Sequence, residues 1–334
     1  MKSKKILVYS NGEAIGDGIY KLNFLTTLKN NFPSYKIFWL TSGPTAYQGS
    51  LKKISHAFIE KVFTEYYGKK KLRDIFFTPD EIKNTYFDII IDTQKSPIRS
   101  TLLKKLPHGL FVSGCLNFLL SDLKPKQKLL TNSLNAYLIN LIQLLARHEE
   151  KDLLDYPFKL SINKIYQIEL NRLLPRKFKY IGFAPGAADL SKVWLLDNFI
   201  AVATYYSKKA FIPVFFIGPN ELAWLDLIKK KLPNARFPEI ELKERKKNNG
   251  GIELVVAIAN RMQINLANDS GMSHMIALSN SYLLSLFSKH DPAKYAALTK
   301  KITVIDSKSF GGTNPNLISV KYVIKKMNEI LKAL

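Results

Sequence analysis

The run Ile264-Asn265-Leu266-Ala267-Asn268-Asp269-Ser270-Gly271-Met272-Ser273-His274 ends a buried-type strand in a carboxylate, a hydroxyl and a glycine, just where a helix should begin. Free backbone N–H groups and the positive end of a helix dipole attract anions there, and a glycine lets the anion approach the backbone closely. The chemistry on offer is a phosphate and sugar cradle. Asp269 would cap the helix or accept ligand hydroxyls, with His274 about one turn further in; a plain capped turn is the competing reading.

Four other loops carry polar residues of this kind. In Ser10-Asn11-Gly12-Glu13-Ala14-Ile15-Gly16-Asp17-Gly18, glycines flank Asp17 at a helix start, so its carboxylate is either an N-cap or a general base toward a hydroxyl. Ala184-Pro185-Gly186-Ala187-Ala188-Asp189-Leu190-Ser191-Lys192-Val193-Trp194 presents the Ser191 hydroxyl and Lys192 ammonium close together, a pair suited to phosphate oxygens or to a solvated surface. In Gly218-Pro219-Asn220-Glu221 the carboxylate suits a ribose diol or the first turn of a helix. Asp92-Thr93-Gln94-Lys95-Ser96-Pro97-Ile98-Arg99 offers Gln94 and Arg99 to a polar or phosphorylated partner, or begins a capped helix. Neither a GxGxxG fingerprint nor a GxxxxGK[ST] phosphate loop occurs.

These loops must hang from a scaffold, and the sequence supplies one. β-rich runs at Ile6–Tyr9, Ile37–Leu40 and Phe87–Ile91 alternate with helical patterns. A second series follows at Tyr180–Ala184, Ile212–Ile217, Ile264–Leu266, Tyr282–Leu286 and Ile302–Ile305. The alternation predicts α/β architecture with two doubly wound, mainly parallel halves, whose ligands sit beyond the carboxyl ends of the strands. The polar stretch from His148 to Pro157 suits a linker, giving domains 1–155 and 156–334. The amphipathic spacing of Ser319 to Leu334 predicts a last helix that could pack back across both halves.

With 334 residues and 46% hydrophobic content, two soluble domains are expected. Fifty Lys and Arg against 27 Asp and Glu give a formal charge of +23, which favours an anionic partner unless it reflects solvated lysine faces alone. Lysines cluster at 69–71, 229–231 and 243–247. No zinc knuckle, helicase-type loop or RNP-like motif accompanies the charge, so no nucleic-acid partner is expected. Cys115 is the only cysteine and cannot form an intramolecular disulfide, which fits a reducing compartment. The apolar stretch after Met1-Lys2-Ser3-Lys4-Lys5 stops at Asn11-Gly12-Glu13, and the longest one, Ala136 to Ala146, contains Asn140 and Gln143. Neither is long enough to export or to span, and the second reads as a packed helix.

Taken in order, Ile6 to Leu40 with Gly16-Asp17, Phe87 to Gln94, Gly182 to Ala187 with Ser191-Lys192-Val193-Trp194, and Asn268 to His274 resemble glycosyltransferase family 9, the ADP-heptose:lipopolysaccharide heptosyltransferases. The resemblance covers most of the chain. It implies a GT-B fold, two Rossmann-like domains facing a central cleft, with acceptor on the first and nucleotide-sugar on the second. It also implies inverting transfer of heptose or a related sugar from ADP-heptose to a phosphorylated or lipid-linked core oligosaccharide, without catalytic metal or other cofactor. On that resemblance Asp17 is the base, Lys192 and the Ser270-Gly271 helix start hold the diphosphate with Ser191, and Glu221 holds the ribose. Asp269 and His274 line the donor end, and Gln94 and Arg99 meet the acceptor. A cytoplasmic location is implied, with peripheral contact to the anionic inner membrane face. A degenerate GT-B binding module and a nucleotide-sugar isomerase on a similar scaffold are the alternatives. One departure stands out: where the family commonly has Phe-Gly-Pro-Thr, this chain reads Phe287-Ser288-Lys289-His290-Asp291-Pro292. A glycine turn is lost and two cationic-type residues are gained. Ala187 and Ala188 also replace hydroxyl residues of some relatives, and Met272 the usual proline.

Overall fold

The computed structural model describes residues 3–64, 80–127, 131–244 and 250–334. The lysine cluster at 69–71, residues 245–247 of the last cluster, and Met1 and Lys2 lie outside the described residues. The chain divides into two units, residues 1–158 and 159–334.

The first unit holds β1 (Lys4–Ser10), β2 (Tyr35–Thr41), β3 (Ile59–Thr64), β4 (Phe87–Asp92) and β5 (His108–Ser113), in one sheet of order β3-β2-β1-β4-β5. All neighbours are parallel; Val8 of the central strand is in register with Trp39 on one side and Ile91 on the other. Strands covered by helices on both faces must be apolar at every position, and Ile6, Leu7 and Val8 are fully buried accordingly.

The boundary follows from one helix face. Asn23, Thr27 and Asn31 recur every four residues on the helix Leu22–Asn31 and so line one stripe. The backbone amides of Leu154, Tyr156 and Phe158 donate to the side chains of Asn31 (3.1 Å), Thr27 (3.3 Å) and Asn23 (2.8 Å) in turn. This polar seam carries the first unit to Phe158.

The second unit holds β6 (Lys179–Ala184), β7 (Phe211–Phe215), β8 (Ile264–Asn268), β9 (Tyr282–Phe287) and β10 (Ile302–Asp306), again all parallel, in the order β10-β9-β8-β6-β7. Alternate residues of a strand serve opposite faces. Ile181 and Phe183 therefore join one core with the helix Leu196–Ser207, while Tyr180 and Ala184 join another with the helix Ile252–Ala259. The last helix, Val320–Ala333, buries Val323, Met327 and Ile330 in the first of these cores, and Tyr206 donates to Asn328 at 3.1 Å. The described packing of this helix thus lies within the second unit.

In each sheet the chain works outward from a first strand and then crosses to its other side. The reversals fall between β1 and β4, and between β6 and β8. A crevice opens at such a point beyond the carboxyl ends of the strands, which is where the loops with polar residues begin.

Candidate active site

In the first unit β1 ends at Ser10 and the chain turns through Glu13 into the helix Ile15–Tyr20. The helix begins after Ala14, which makes no side-chain cap, so Asp17 is not an N-cap; it sits in the first turn with its carboxylate exposed. Gly16 and Gly18 beside it are buried. What fixes this turn is a buried ion pair that the sequence reading missed. Lys21 Nζ lies 2.9 Å from Glu13 Oε1 and donates to Ser10 Oγ at 2.6 Å, while the Thr45 hydroxyl donates to the other Glu13 oxygen. The Glu13 side chain is wholly buried and that of Lys21 nearly so. Fully buried Tyr47 donates to the Gly18 carbonyl at 2.9 Å; burial first, then the carboxylates of Glu13 and Asp17, push its hydroxyl well above the usual range.

Asp92 closes β4 as a clamp. One oxygen accepts from Ser100 (2.5 Å) and Ser113 (2.8 Å), the other from the Gln94 amide (2.9 Å). Burial raises its carboxyl above the usual range, against the lowering effect of those hydrogen bonds. The clamp sets the helix Pro97–Lys104 on the sheet and leaves Gln94 and Arg99 half-buried at its start. Gln94 donates to Thr93 Oγ1 at 3.0 Å.

In the second unit three loops converge on one carboxylate. Asp269, 4% exposed at the end of β8, has Lys192 Nζ at 3.3 Å and His290 Nδ1 at 2.8 Å, both on Oδ2. Lys192 and His290 are themselves 3.5 Å apart. The loop bearing Lys192 is guyed by Asn268, which donates to the Pro185 carbonyl (2.7 Å) and accepts from the Trp194 amide (3.2 Å). Beyond it, the buried Trp194 indole donates to the Ile318 carbonyl at 2.9 Å, and the Leu195 amide to Asn316 at 2.9 Å. Ser191 is turned toward Asp189, giving that carboxylate both its hydroxyl (2.5 Å) and its amide (3.0 Å). These bonds, with Lys289 and Lys192 nearby, hold the Asp189 carboxyl below the usual range.

Ser270 and Gly271 open the helix Gly271–Ala277, where the Ser270 hydroxyl is buried without a partner among the described residues. His274 is half-buried on that helix, and His290, from the loop after β9, brings an imidazole onto Asp269. Its signal was present as the departure at Ser288-Lys289-His290, a cationic replacement of a glycine turn.

Glu221, after β7, lies over two glycines. A Cβ on Gly186 would stand 2.4 Å from Glu221 Oε1, and one on Gly218 2.6 Å from Oε2. Only residues without a side chain let this carboxylate lie against the loop after β6. Among the described residues no group of three or more His, Cys, Asp and Glu is placed to hold a metal ion.

Two parallel sheets of this kind in one chain, each reversing its strand order beneath polar loops, are the architecture of the GT-B glycosyltransferases. Residues 79–314 match the family model described as glycosyltransferase family 9 (heptosyltransferase), and the chain belongs to that family. Among solved structures it is similar to a family 9 glycosyl transferase of Veillonella parvula (18% identity, TM-score 0.72, covering 100% of this chain and 99% of the other). It is similar also to the E. coli ADP-heptose lipopolysaccharide heptosyltransferase II (16%, 0.65, 99% and 99%) and to the E. coli heptosyltransferase WaaC solved with ADP (16%, 0.63, 98% and 99%). A comparison with curated protein sequences finds no match.

Proposed function

We propose that this glycosyltransferase moves heptose, or a closely related sugar, from an ADP-linked donor to a phosphorylated or lipid-linked core oligosaccharide, with inversion at the anomeric carbon. The convergence of Lys192 and His290 on the nearly buried Asp269, at the strand-order reversal of the second unit, carries the reading. In the free protein one carboxylate oxygen occupies a place between two cationic-type groups, where a phosphate oxygen is equally suited. WaaC, with the same fold, was solved with ADP.

In the proposed reaction Asp17 takes the proton of the acceptor hydroxyl as its oxygen bonds to the anomeric carbon, and the bond from that carbon to the diphosphate oxygen breaks. Lys192 and the Ser270-Gly271 turn receive the departing diphosphate, so the positive charge needed there comes from side chains and amides and no step is routed through a metal. Glu221 accepts the ribose hydroxyls, and Ser191 reaches a phosphate after leaving Asp189. Gln94 and Arg99 meet the acceptor, whose anionic groups the +23 chain attracts. No helix among the described residues is long and apolar enough to cross a membrane. A lipid-linked acceptor would be met at the cytoplasmic membrane face through the basic charge of the chain.

Calorimetric titration with ADP, GDP, UDP and CMP tests the reading. Selective ADP binding is expected, and preference for another base would change the donor. Lys192→Ala should weaken ADP binding by about 1.5–3 kcal/mol, the range for hydrogen bonds to charged groups. Unchanged affinity would leave Lys192 as a structural partner of Asp269 only. Gly186→Ala should have a similar effect at a distance, because its methyl group displaces the Glu221 carboxylate, while the melting temperature moves little since Glu221 is a flexible side chain near the surface. Full ADP affinity in this variant would show that Glu221 is not a ribose ligand.

A further inference from the structure

Among the described residues His290 makes its hydrogen bonds through one ring nitrogen. Nδ1 lies 2.8 Å from Asp269 Oδ2, and Nε2 has no hydrogen-bond partner among the described residues, with the side chain 44% exposed. The buried carboxylate on Nδ1 orients the ring, so that Nε2 is the nitrogen left for a ligand. The surroundings hold the ring there. Lys308 Nζ donates to the His290 carbonyl at 3.1 Å, the Tyr295 ring lies 5.1 Å away, and Asp291 spends its carboxylate on the Ala293 amide at 2.9 Å. Lys192 stands 3.5 Å from Nδ1, and Lys289 is drawn aside by Asp189 at 3.8 Å. Two residues earlier in the chain, Ser288 is 1% exposed and its hydroxyl has no partner among the described residues.

We infer that His290 is a catalytic acid: its Nε2 proton passes to the diphosphate oxygen that leaves the anomeric carbon. The inference rests on the donor site proposed above and adds a group to it. As the carbon–oxygen bond breaks, its electron pair goes to the phosphate oxygen, which takes the proton from His290. The acceptor oxygen forms the new bond and gives its own proton to Asp17. The imidazole regains a proton from solvent and Asp17 releases one, so the cycle balances. Lys192 supplies fixed charge and the Asp269–His290 pair a movable proton, two contributions that one lysine cannot make together.

Two substitutions separate this role from a structural one. An asparagine amide overlays Nδ1 and keeps the bond to Asp269; a glutamine amide overlays Nε2 and keeps a neutral donor toward the phosphate. With ADP-heptose and a lipid-core acceptor, both H290N and H290Q should lose about 100-fold in kcat, the low end for general acid catalysis because a nucleoside diphosphate already leaves well. The KM for donor should stay within about threefold. A required acid must be protonated, so the wild-type kcat should fall toward alkaline pH. That alkaline limb should be missing from both variants. Wild-type kcat in H290N with the limb retained would reduce His290 to a positioning group, and weaker ADP binding with unchanged kcat would make it a binding group only; either overturns the inference. If the wild-type protein neither binds ADP nor turns over, the donor-site reading fails instead, a result that the variants are not needed to see.

Discussion

Asparagine at position 17 should leave ADP affinity within about twofold of wild type and lower turnover at least ~100-fold, the scale on which general bases act. The side chain is isosteric and exposed, so no packing is disturbed and no buried charge is left behind. ADP would be bound by loops of the second unit and Asp17 stands in the first, which is why the two readouts should separate. A variant that lost kcat and donor affinity together would point to a role in holding the nucleotide. One with near wild-type turnover would remove Asp17 from the mechanism. Stopped assays for released ADP, run with saturating donor and acceptor, distinguish these outcomes.

The second large effect should be on stability. Lys21→Met removes the cation from a Glu13 carboxylate that is wholly buried and that otherwise has, among the described residues, only the Thr45 hydroxyl as a side-chain donor. Breaking a buried pair from one side leaves an uncompensated charge, and the expected loss is about 3–5 kcal/mol. The double variant Glu13→Gln with Lys21→Met should recover a large part of it, because no charge then remains to be desolvated. Native-state hydrogen exchange of the β1 and β2 amides reads the first unit alone. A loss below about 1 kcal/mol in the single variant would mean that water reaches Glu13. The pair has a functional bearing, since Glu13 and Lys21 bracket Asp17 and hold the turn from which its carboxylate projects.

Much of the scaffold could be read from the chain. Continuous apolar runs mark all five strands of the second unit, its edges included, and β1, β2 and β4 of the first. The strands not found, β3 and β5, are the two edges of the first sheet. Ile59-Glu60-Lys61-Val62-Phe63-Thr64 carries charges because an edge strand is partly solvated, and His108-Gly109 blurs the start of β5. In the site, Lys192 and Asp269 were expected in one donor site, and they lie within ion-pair distance although 77 residues separate them. His290 was not among the expected site residues: nothing in the spacing of residues 269 and 290 shows that the parallel pairing of β8 and β9 brings the loop after β9 to Asp269. The Glu13–Lys21 pair left no legible trace: two ordinary charged residues near a turn become a buried pair only through the fold, with Thr45 arriving from the loop after β2. The last helix shows the limit of amphipathic spacing, which gives the apolar stripe of Val323, Met327 and Ile330 without naming the surface that receives it.

The guyed loop of Lys192 also sets an order of assembly. Its anchors are Asn268, Asn316 and the carbonyl of Ile318, which are 74, 121 and 124 residues away from the groups they hold. Such non-local closures form late, because loop entropy must be overcome before they are rewarded. On the ribosome, residues 185–195 emerge with the first strand of their unit, meet their first anchors only when Asn268 is made, and meet the last only when residues 316–318 follow. The lysine is therefore among the earlier parts of the second unit to be synthesised, and its loop is among the last to be fully fixed, once the segment around residue 318 has docked.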